Sequence, residues 1–412
     1  MKSNTLLMAA AMVAFATPVF SAEALASREL INGKDLTGWT GKGYVVEDGA
    51  IYCTPQGSNL VTEGIFSNYV LDFEFVLTAG ANNGLGIHYP GTGDAAYVGM
   101  ELQVLDSTAE KYKNLKDYQF HGSLYTLAPA KQGALKPVGE WNHERVTING
   151  PLVKVEVNDK VVLEANLDEL NVAHPKHMGS KRRSGHIAFC GHGDRVGFRN
   201  MRISELPPTP VATAGETPLF DGKSLAGWKP ERAGDESWSV MNGVLKHKGT
   251  AKGAGQLWTE KEYGDFTMAF DWRWASVGPM MKRPVIGADG NETAEKLDVQ
   301  ELDSGVYVRG NEKSQVNLWN WPVGSGEVYG YRTNKSMSAE VRAGVTPKMK
   351  ADKALGEWNH TVITMKGDRL TVVLNGQTVI DQAQLPNVPA KGKLALQHHG
   401  SSIDFANLTI KE

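Results

Sequence analysis

The sequence runs through one series of motifs twice. "LINGKDLTGW" at residues 30–39 returns as "LFDGKSLAGW" at 219–228, and "VVEDGAIY" at 45–52 returns as "SVMNGVLK" at 239–246. "GEWNHERVTI" (139–148) returns as "GEWNHTVITM" (356–365), "VKVEVNDKVV" (153–162) as "LTVVLNGQTV" (370–379), and "HGDRVGFRNMRI" (192–203) as "HGSSIDFANLTI" (399–410). The period is far too long for a solenoid, so the repeat means two tandem domains, each closing its own core. The interval from Trp228 to Trp358 exceeds that from Trp39 to Trp141, so the second copy carries extra residues. Residues 280–297, rich in Pro, Gly, Lys and Glu, are the expected place and read as a long exposed loop. "ELPPTPVATAGET" (205–217) has the composition of a linker. The expected division is a leader at 1–24, a first domain at 27–206, a linker at 207–217 and a second domain at 218–412.

Within each copy the periodicity is that of strands. Short alternating runs occur at 68–77, 100–105, 145–148, 153–157, 185–189 and 196–203, and Asp-Gly, Asn-Gly and Asn-Asp pairs punctuate them. Helical periodicity is weak throughout, and 45 glycines suit a turn-rich layout. The expected fold is all-β: two tandem antiparallel jelly-roll sandwiches, each with a concave face.

Composition narrows the partners. With 43 basic and 46 acidic residues the net charge is −3, and no basic stripe marks a nucleic-acid surface. Lys2 followed by an apolar stretch at 6–16 and small residues reads as an export signal cut between Ser21 and Ala26, which predicts a periplasmic or secreted protein. No later run is long and apolar enough to span a bilayer. Export makes a Cys53–Cys190 disulfide chemically possible, but two buried free thiols are the favoured reading.

"GMELQVLD" (99–106) holds the densest polar cluster inside an apolar run. Met100, Leu102 and Val104 take one face of a strand, so Glu101 and Gln103 share the other. Asp106 has the wrong parity to join them unless the strand is bulged or already turning.

These motifs, with "NNGLGIHY" (82–89), "HGSLYTLAPA" (121–130), "KPVGEWN" (136–142) and "GHGDRVGFRNMRI" (191–203), resemble in order the 3-keto-disaccharide hydrolase domain family, also described as 3-keto-glucoside-1,2-lyase and 3-keto-2-hydroxy-glucal hydratase. The resemblance covers essentially the whole chain after the leader, twice. It implies a concanavalin A-like fold and a 3-keto-sugar or oligosaccharide substrate. The implied chemistry is elimination: a C3 ketone acidifies the C2 proton, a base removes it, the C1 substituent leaves, and water can then add back for net hydrolysis. Such a site needs a base, an acid and a partner for the enolate oxygen.

On that resemblance Glu101 is the first candidate base, with Asp106, His88 and His192 as the other candidate catalytic groups. His88 stands where the family commonly has Arg. Gln103, Asn83, His121, Tyr125 and Arg199 are candidate substrate contacts, although Arg199 is as readily an inter-strand ion pair and Asp106 a turn carboxylate. Trp39 and Trp141 read as core aromatics. In the second copy "SQVNLWN" (314–320) sets Gln315, Asn317 and Asn320 opposite Glu101, Gln103 and Asp106, replacing both carboxylates by amides. That copy retains Arg309 and His399 as candidate contacts, so it is expected to bind or complete a cleft, or to act as a variant through His398, His399 and Arg309. The first copy is the expected seat of chemistry.

Two rival readings follow from the same residues. A retaining β-glucanase would need a pair of carboxyls about 5–5.5 Å apart, which Glu101 and Asp106 meet only across a bulge. A lectin-like glycan-binding protein would need no catalytic pair. No cofactor is evident. His88, Glu101, Asp106 and His192 are ligand-capable types, so a divalent ion such as calcium stays open, although no spacing demands one. The oligomeric state is not legible.

Overall fold

The computed structural model describes residues 25–211, 215–249 and 255–412. The expected export signal lies outside the described residues. Each copy is a sandwich of an eight-stranded and a five-stranded antiparallel sheet, and the two copies match strand for strand. In the first, the larger sheet runs Lys160–Asn166, Leu152–Val157, Trp141–Asn149, Tyr69–Leu77, Val196–Glu205, Ala50–Cys53, Tyr44–Glu47, with Arg28–Glu29 also against Val196–Glu205. The smaller runs Trp39–Gly41, Asn59–Thr62, His186–Cys190, Asn82–Tyr89, Met100–Leu105. The chain is thus a tandem pair of jelly-roll-type sandwiches, as the alternation and the repeat predict.

The repeated motifs explain themselves as structure. Asp48–Gly49 and Asn242–Gly243 both take positive φ at their two central residues (48° and 78°, 52° and 79°), the backbone of a tight hairpin turn whose twist matches its strands. The Asn of each "GEWNH" is a tie: Asn142 Oδ1 accepts from Lys136 N and Asn158 Nδ2, and Asn359 Oδ1 accepts from Lys353 N and Asn375 Nδ2. Trp39 lies 4.9 Å from Phe189, stacked within 8°, and donates its indole N–H to Leu30 O; Trp228 makes the same bond to Leu219 O. These are core roles. Trp141 is instead half-buried on the larger sheet, under the Arg199 guanidinium at 3.9 Å.

One expectation changes here. The insertion is not a loop but a hairpin, Met280–Ile286 against Glu292–Gln300. Its side chains are mostly exposed, so no hydrophobic alternation advertised it in the sequence. Met100–Leu105 pairs with 82–87 without a bulge, and the chain turns at Asp106, which stays apart from Glu101 and Gln103. Cys53 and Cys190 are both free and buried. No helix among the described residues is long and apolar enough to cross a membrane.

The two domains are clasped by charge. Glu205, closing the last strand of the first domain, meets Arg28 of its own domain, and Arg273 and Lys246 of the second; Arg273 and Lys246 also hold Asp404, at 2.7 Å and 3.2 Å. Arg273 is 1% exposed. Ser184 Oγ adds a hydrogen bond to Leu355 O across the same junction.

Candidate active site

The strand Met100–Leu105 is buried on both faces. Met100, Leu102 and Val104 enter the sandwich core. Glu101 and Gln103 face the other way, into a cleft of about 310 Å³ lined also by Asn82, Asp94, Tyr97, Tyr125 and His192. The edge of this strand is covered by the segment after it: Gln103 N donates to Ser123 O, Gly122 N to Gln103 O, and Tyr125 N to Glu101 O. That pairing is what brings Tyr125 to the cleft wall. Tyr97 and Tyr118 pack edge-on against Tyr125 at 6.3 Å and 5.9 Å, so the rim is aromatic.

Gly84 is opposite Gln103 and Gly86 opposite Glu101. A Cβ on Gly84 would lie 1.9 Å from Glu101 Oε1, so the glycine is the space in which the carboxylate lies. Glu101 is 6% exposed, and its Oε1 accepts no hydrogen bond among the described residues. The nearest basic group is His192, whose Nε2 stands 3.6 Å from that oxygen, an ion-pair distance. Glu101 beside it raises the His192 pKa above the ordinary imidazole value, against the opposing pull of partial burial. The pair therefore sets an imidazole whose protonated form is favoured beside a buried carboxyl oxygen that accepts no hydrogen bond among the described residues.

Of the candidate residues, the fold brings together Glu101, Gln103, Tyr125 and His192. It places the others elsewhere. Asp106 is a turn carboxylate: it accepts from Gly80 N, Thr108 N and Thr108 Oγ1 and does not line the cleft. Burial pushes its pKa up, but those hydrogen bonds outweigh burial and hold it below the usual value. His88 is fully buried, with Nδ1 3.1 Å from Arg182 O and Nε2 3.4 Å from Ser67 O, and burial lowers its pKa to about 4. Parity would have set it on the cleft face. Its φ of 49°, with a register shift in the neighbouring strand, breaks that alternation. Asn83 is opposite Val104 and so points into the sandwich, where its Oδ1 accepts from Gly84 N. Its neighbour Asn82 lines the cleft instead.

His121 is also internal. Its Nδ1 accepts from Leu105 N, its ring lies 4.9 Å from Phe75, and its Nε2 is 3.4 Å from the buried Glu144. Arg199 pairs with Glu74 across the larger sheet at 2.6 Å. Arg309 in the second domain is buried and ties loops together through Gly264 O, Gly367 O, Pro389 O and Asp265. His399 alone of the second-domain candidates is half-exposed at its sheet, beside Asp303. The four ligand-capable residues do not converge, since only Glu101 and His192 meet, and among the described residues no three His, Cys, Asp or Glu side chains gather to hold a metal ion.

Sequence reasoning overlooked Asn82, Asp94 and Tyr97. Asn82 has the parity of Gly84, which was a usable signal. Asp94, which caps the short helix Ala95–Val98 by accepting from Ala96 N, and Tyr97 on that helix reach the cleft through a loop that no periodicity marks.

The domain described as 3-keto-alpha-glucoside-1,2-lyase-like matches residues 26–204 and again 215–411. The chain belongs to this family. It carries the domain twice, in register with the two sandwiches. A 3-keto-disaccharide hydrolase of Bacteroides thetaiotaomicron is 28% identical over 226 residues, covering 43% of this chain and 77% of that protein. A solved Parabacteroides distasonis protein with a provisional glycosyl hydrolase name is 26% identical, with 44% of this family member and 99% of that chain aligned at a TM-score of 0.40. The exoplasmic/lumenal domain of VIP36, in a form bound to Ca2+ and Man3GlcNAc, aligns at 13% identity and a TM-score of 0.30 over 46% of this chain and 93% of that one.

Proposed function

We propose that the protein is an exported enzyme that cleaves 3-keto-glycosides by elimination in the first domain, with rehydration of the unsaturated product giving net hydrolysis. The observation that carries this reading is the Glu101–His192 pair. A carboxylate with one unclaimed, buried oxygen faces an imidazole whose proton it stabilises, inside a sugar-sized cleft of a family named for this chemistry. Glu101 takes the C2 proton of the keto-sugar, and the electron pair moves into the C3 carbonyl. As the enolate collapses, the C1–O bond breaks and the His192 imidazolium gives its proton to the departing oxygen. Asn82 and Gln103 supply amide donors for the sugar oxygens, and the Tyr97–Tyr125 rim offers aromatic faces to the ring. No oxocarbenium ion is formed, so no second carboxylate has to stand at nucleophile distance.

The test is a pair of substrates with one aglycone, a 3-keto-glucoside and the plain glucoside. Turnover of the keto form alone, with enone absorbance appearing together with aglycone release, is the expected result. Cleavage of the plain glucoside would instead favour a retaining mechanism using Asp94, the other carboxylate in the cleft. Binding without turnover of either would make the protein a lectin.

A further inference from the structure

The tip of the inserted hairpin in the second domain leans on two short helices, Tyr329–Arg332 and Ala339–Gly344. The tip itself closes through Gly287 N to Asn291 O at 2.8 Å and Gly290 N to Gly287 O at 2.9 Å. Arg332 Nη1 donates to Gly290 O at 3.3 Å, Arg342 Nη2 donates to Asn291 Oδ1, and Arg342 Nε donates to Arg332 O at 2.9 Å. Gly290 has φ of 76°, and a Cβ there would fall 2.8 Å from Arg342 O, so only glycine lets the tip approach this closely. Between tip and helices lies a cleft of about 450 Å³. The first domain has neither wall. It lacks the hairpin, and between Leu105 and Trp141 its helical turns are the 3₁₀ turns Glu110–Tyr112 and Asp117–Gln119.

Three cations line this cleft, Arg332, Lys335 and Arg342, against one carboxylate, Glu292. Asp289, at the tip, spends both oxygens on Asn291 and does not line the cleft. The cations are incompletely satisfied. Arg332 is 2% exposed; its Nε donates to Glu327 Oε1, yet its Nη2 donates to nothing among the described residues. Burial lowers the Arg332 pKa, the Glu292 charge works against that, and the Arg342 charge works with it. A cation so desolvated and crowded is stabilised by a nearby anion. Lys335 is exposed and makes no ion pair among the described residues. Thr333 Oγ1 donates to Tyr329 O and keeps its acceptor side for a hydroxyl.

We propose that this cleft binds a ligand of monosaccharide size through its oxyanion, a carboxylate as on a uronic acid or a phosphate as on a sugar phosphate. Both are planar or forked acceptors that guanidinium groups recognise through paired hydrogen bonds. Arg342 and Lys335 meet the oxyanion from the cleft walls, and Arg332 adds an N–H that has no other acceptor. The volume far exceeds that of a bare phosphate and suits a sugar ring beside the charged group. The walls are already tied together by the Arg332 and Arg342 hydrogen bonds, so little ordering is left for binding to bear. The site lies wholly in the second domain and stands or falls independently of the elimination reading.

The test is calorimetric titration of the full chain, at low salt, with glucuronate, glucose 6-phosphate, the neutral glucuronamide and inorganic phosphate. At least one of the two acids should bind saturably, 10-fold or more tighter than glucuronamide and than inorganic phosphate, and added NaCl should weaken it. Whichever acid binds tighter identifies the oxyanion as carboxylate or phosphate. Lys335→Ala, at an exposed side chain on which folding does not depend, should weaken that binding at least 5-fold, and Arg342→Gln should do so as well. Glu292→Gln removes the one opposing carboxylate and should tighten it. The proposal is overturned by failure of both acids to bind, by equal binding of glucuronamide, or by equal binding of inorganic phosphate. Wild-type affinity in both Lys335→Ala and Glu292→Gln would also overturn it, by placing the binding elsewhere on the chain.

Discussion

Glu101 and Gln315 occupy one position in two domains and differ by an oxygen exchanged for an amide nitrogen. The exchange decides what the neighbours do. Gln315 Nε2 donates to Gln397 Oε1 and Ser304 O, whereas Glu101 leaves Oε1 without a hydrogen bond among the described residues. Glu101→Gln should therefore lower kcat on a 3-keto-glucoside by about 10²–10⁴, the usual worth of a positioned base, with an unchanged melting temperature. Asp106→Ala should behave in the opposite way. It removes three accepted hydrogen bonds at a buried turn and should cost about 1–3 kcal/mol in urea unfolding while sparing the chemistry. His192 is raised by Glu101, so its protonated form persists to higher pH than a free imidazole of about 6.5. Turnover should fall as pH rises through that elevated value, and His192→Gln should abolish this limb of the profile.

Strand pairing decides which side chains meet. The pleat of Met100–Leu105 was legible from "MELQVL" alone, and it assigned Glu101 and Gln103 to one face correctly. Parity failed at His88 because a left-handed residue interrupts the alternation, and the same φ recurs at Arg309, 53°. Two members of the family motif are thereby turned to binding carbonyl groups. Gly84 shows the reverse case, a residue with no chemistry of its own on which the site depends. Gly84→Ala would put a methyl within 1.9 Å of Glu101 Oε1 and on the backbone of a central strand. Loss of activity with a melting temperature changed by only a few degrees is the expected outcome, read by comparing turnover with calorimetry.

Buried charge at the domain junction links the two sandwiches. Glu205 is buried. Its desolvation would raise its pKa, but Lys246, Arg273 and Arg28 outweigh that and lower it to about 2. The stability it lends is present above the unfolded value near 4.3 and is lost as pH falls from there toward 2. Glu205→Gln should cost about 3–5 kcal/mol by leaving Arg273 under-compensated, and should split one calorimetric transition into two. His88 acts in a higher window. Its folded pKa is about 4 against about 6.5 unfolded, so it takes nothing from stability above 6.5. As pH falls from 6.5 to 4 the unfolded chain binds a proton that the native chain refuses, a loss of about 3 kcal/mol. His88→Gln should flatten the dependence of the urea midpoint on pH across that interval.

The sequence alone determined the duplication, the strand content, the tight Asp-Gly and Asn-Gly turns, the core role of Trp39 and the face of Glu101. All of these follow from local periodicity and turn chemistry, which a few neighbouring residues settle. The hairpin at Met280–Gln300, the turning of His88, Asn83 and His121 away from the Glu101 cleft, the binding of Arg309 to loop carbonyls, and the pairing of Asp303 with His399 were decided by tertiary structure. Each depends on register or backbone handedness between segments distant in the chain, and on which buried carbonyls and carboxylates must be satisfied there. A side chain's chemistry is written in its type, but its partner is chosen by the fold.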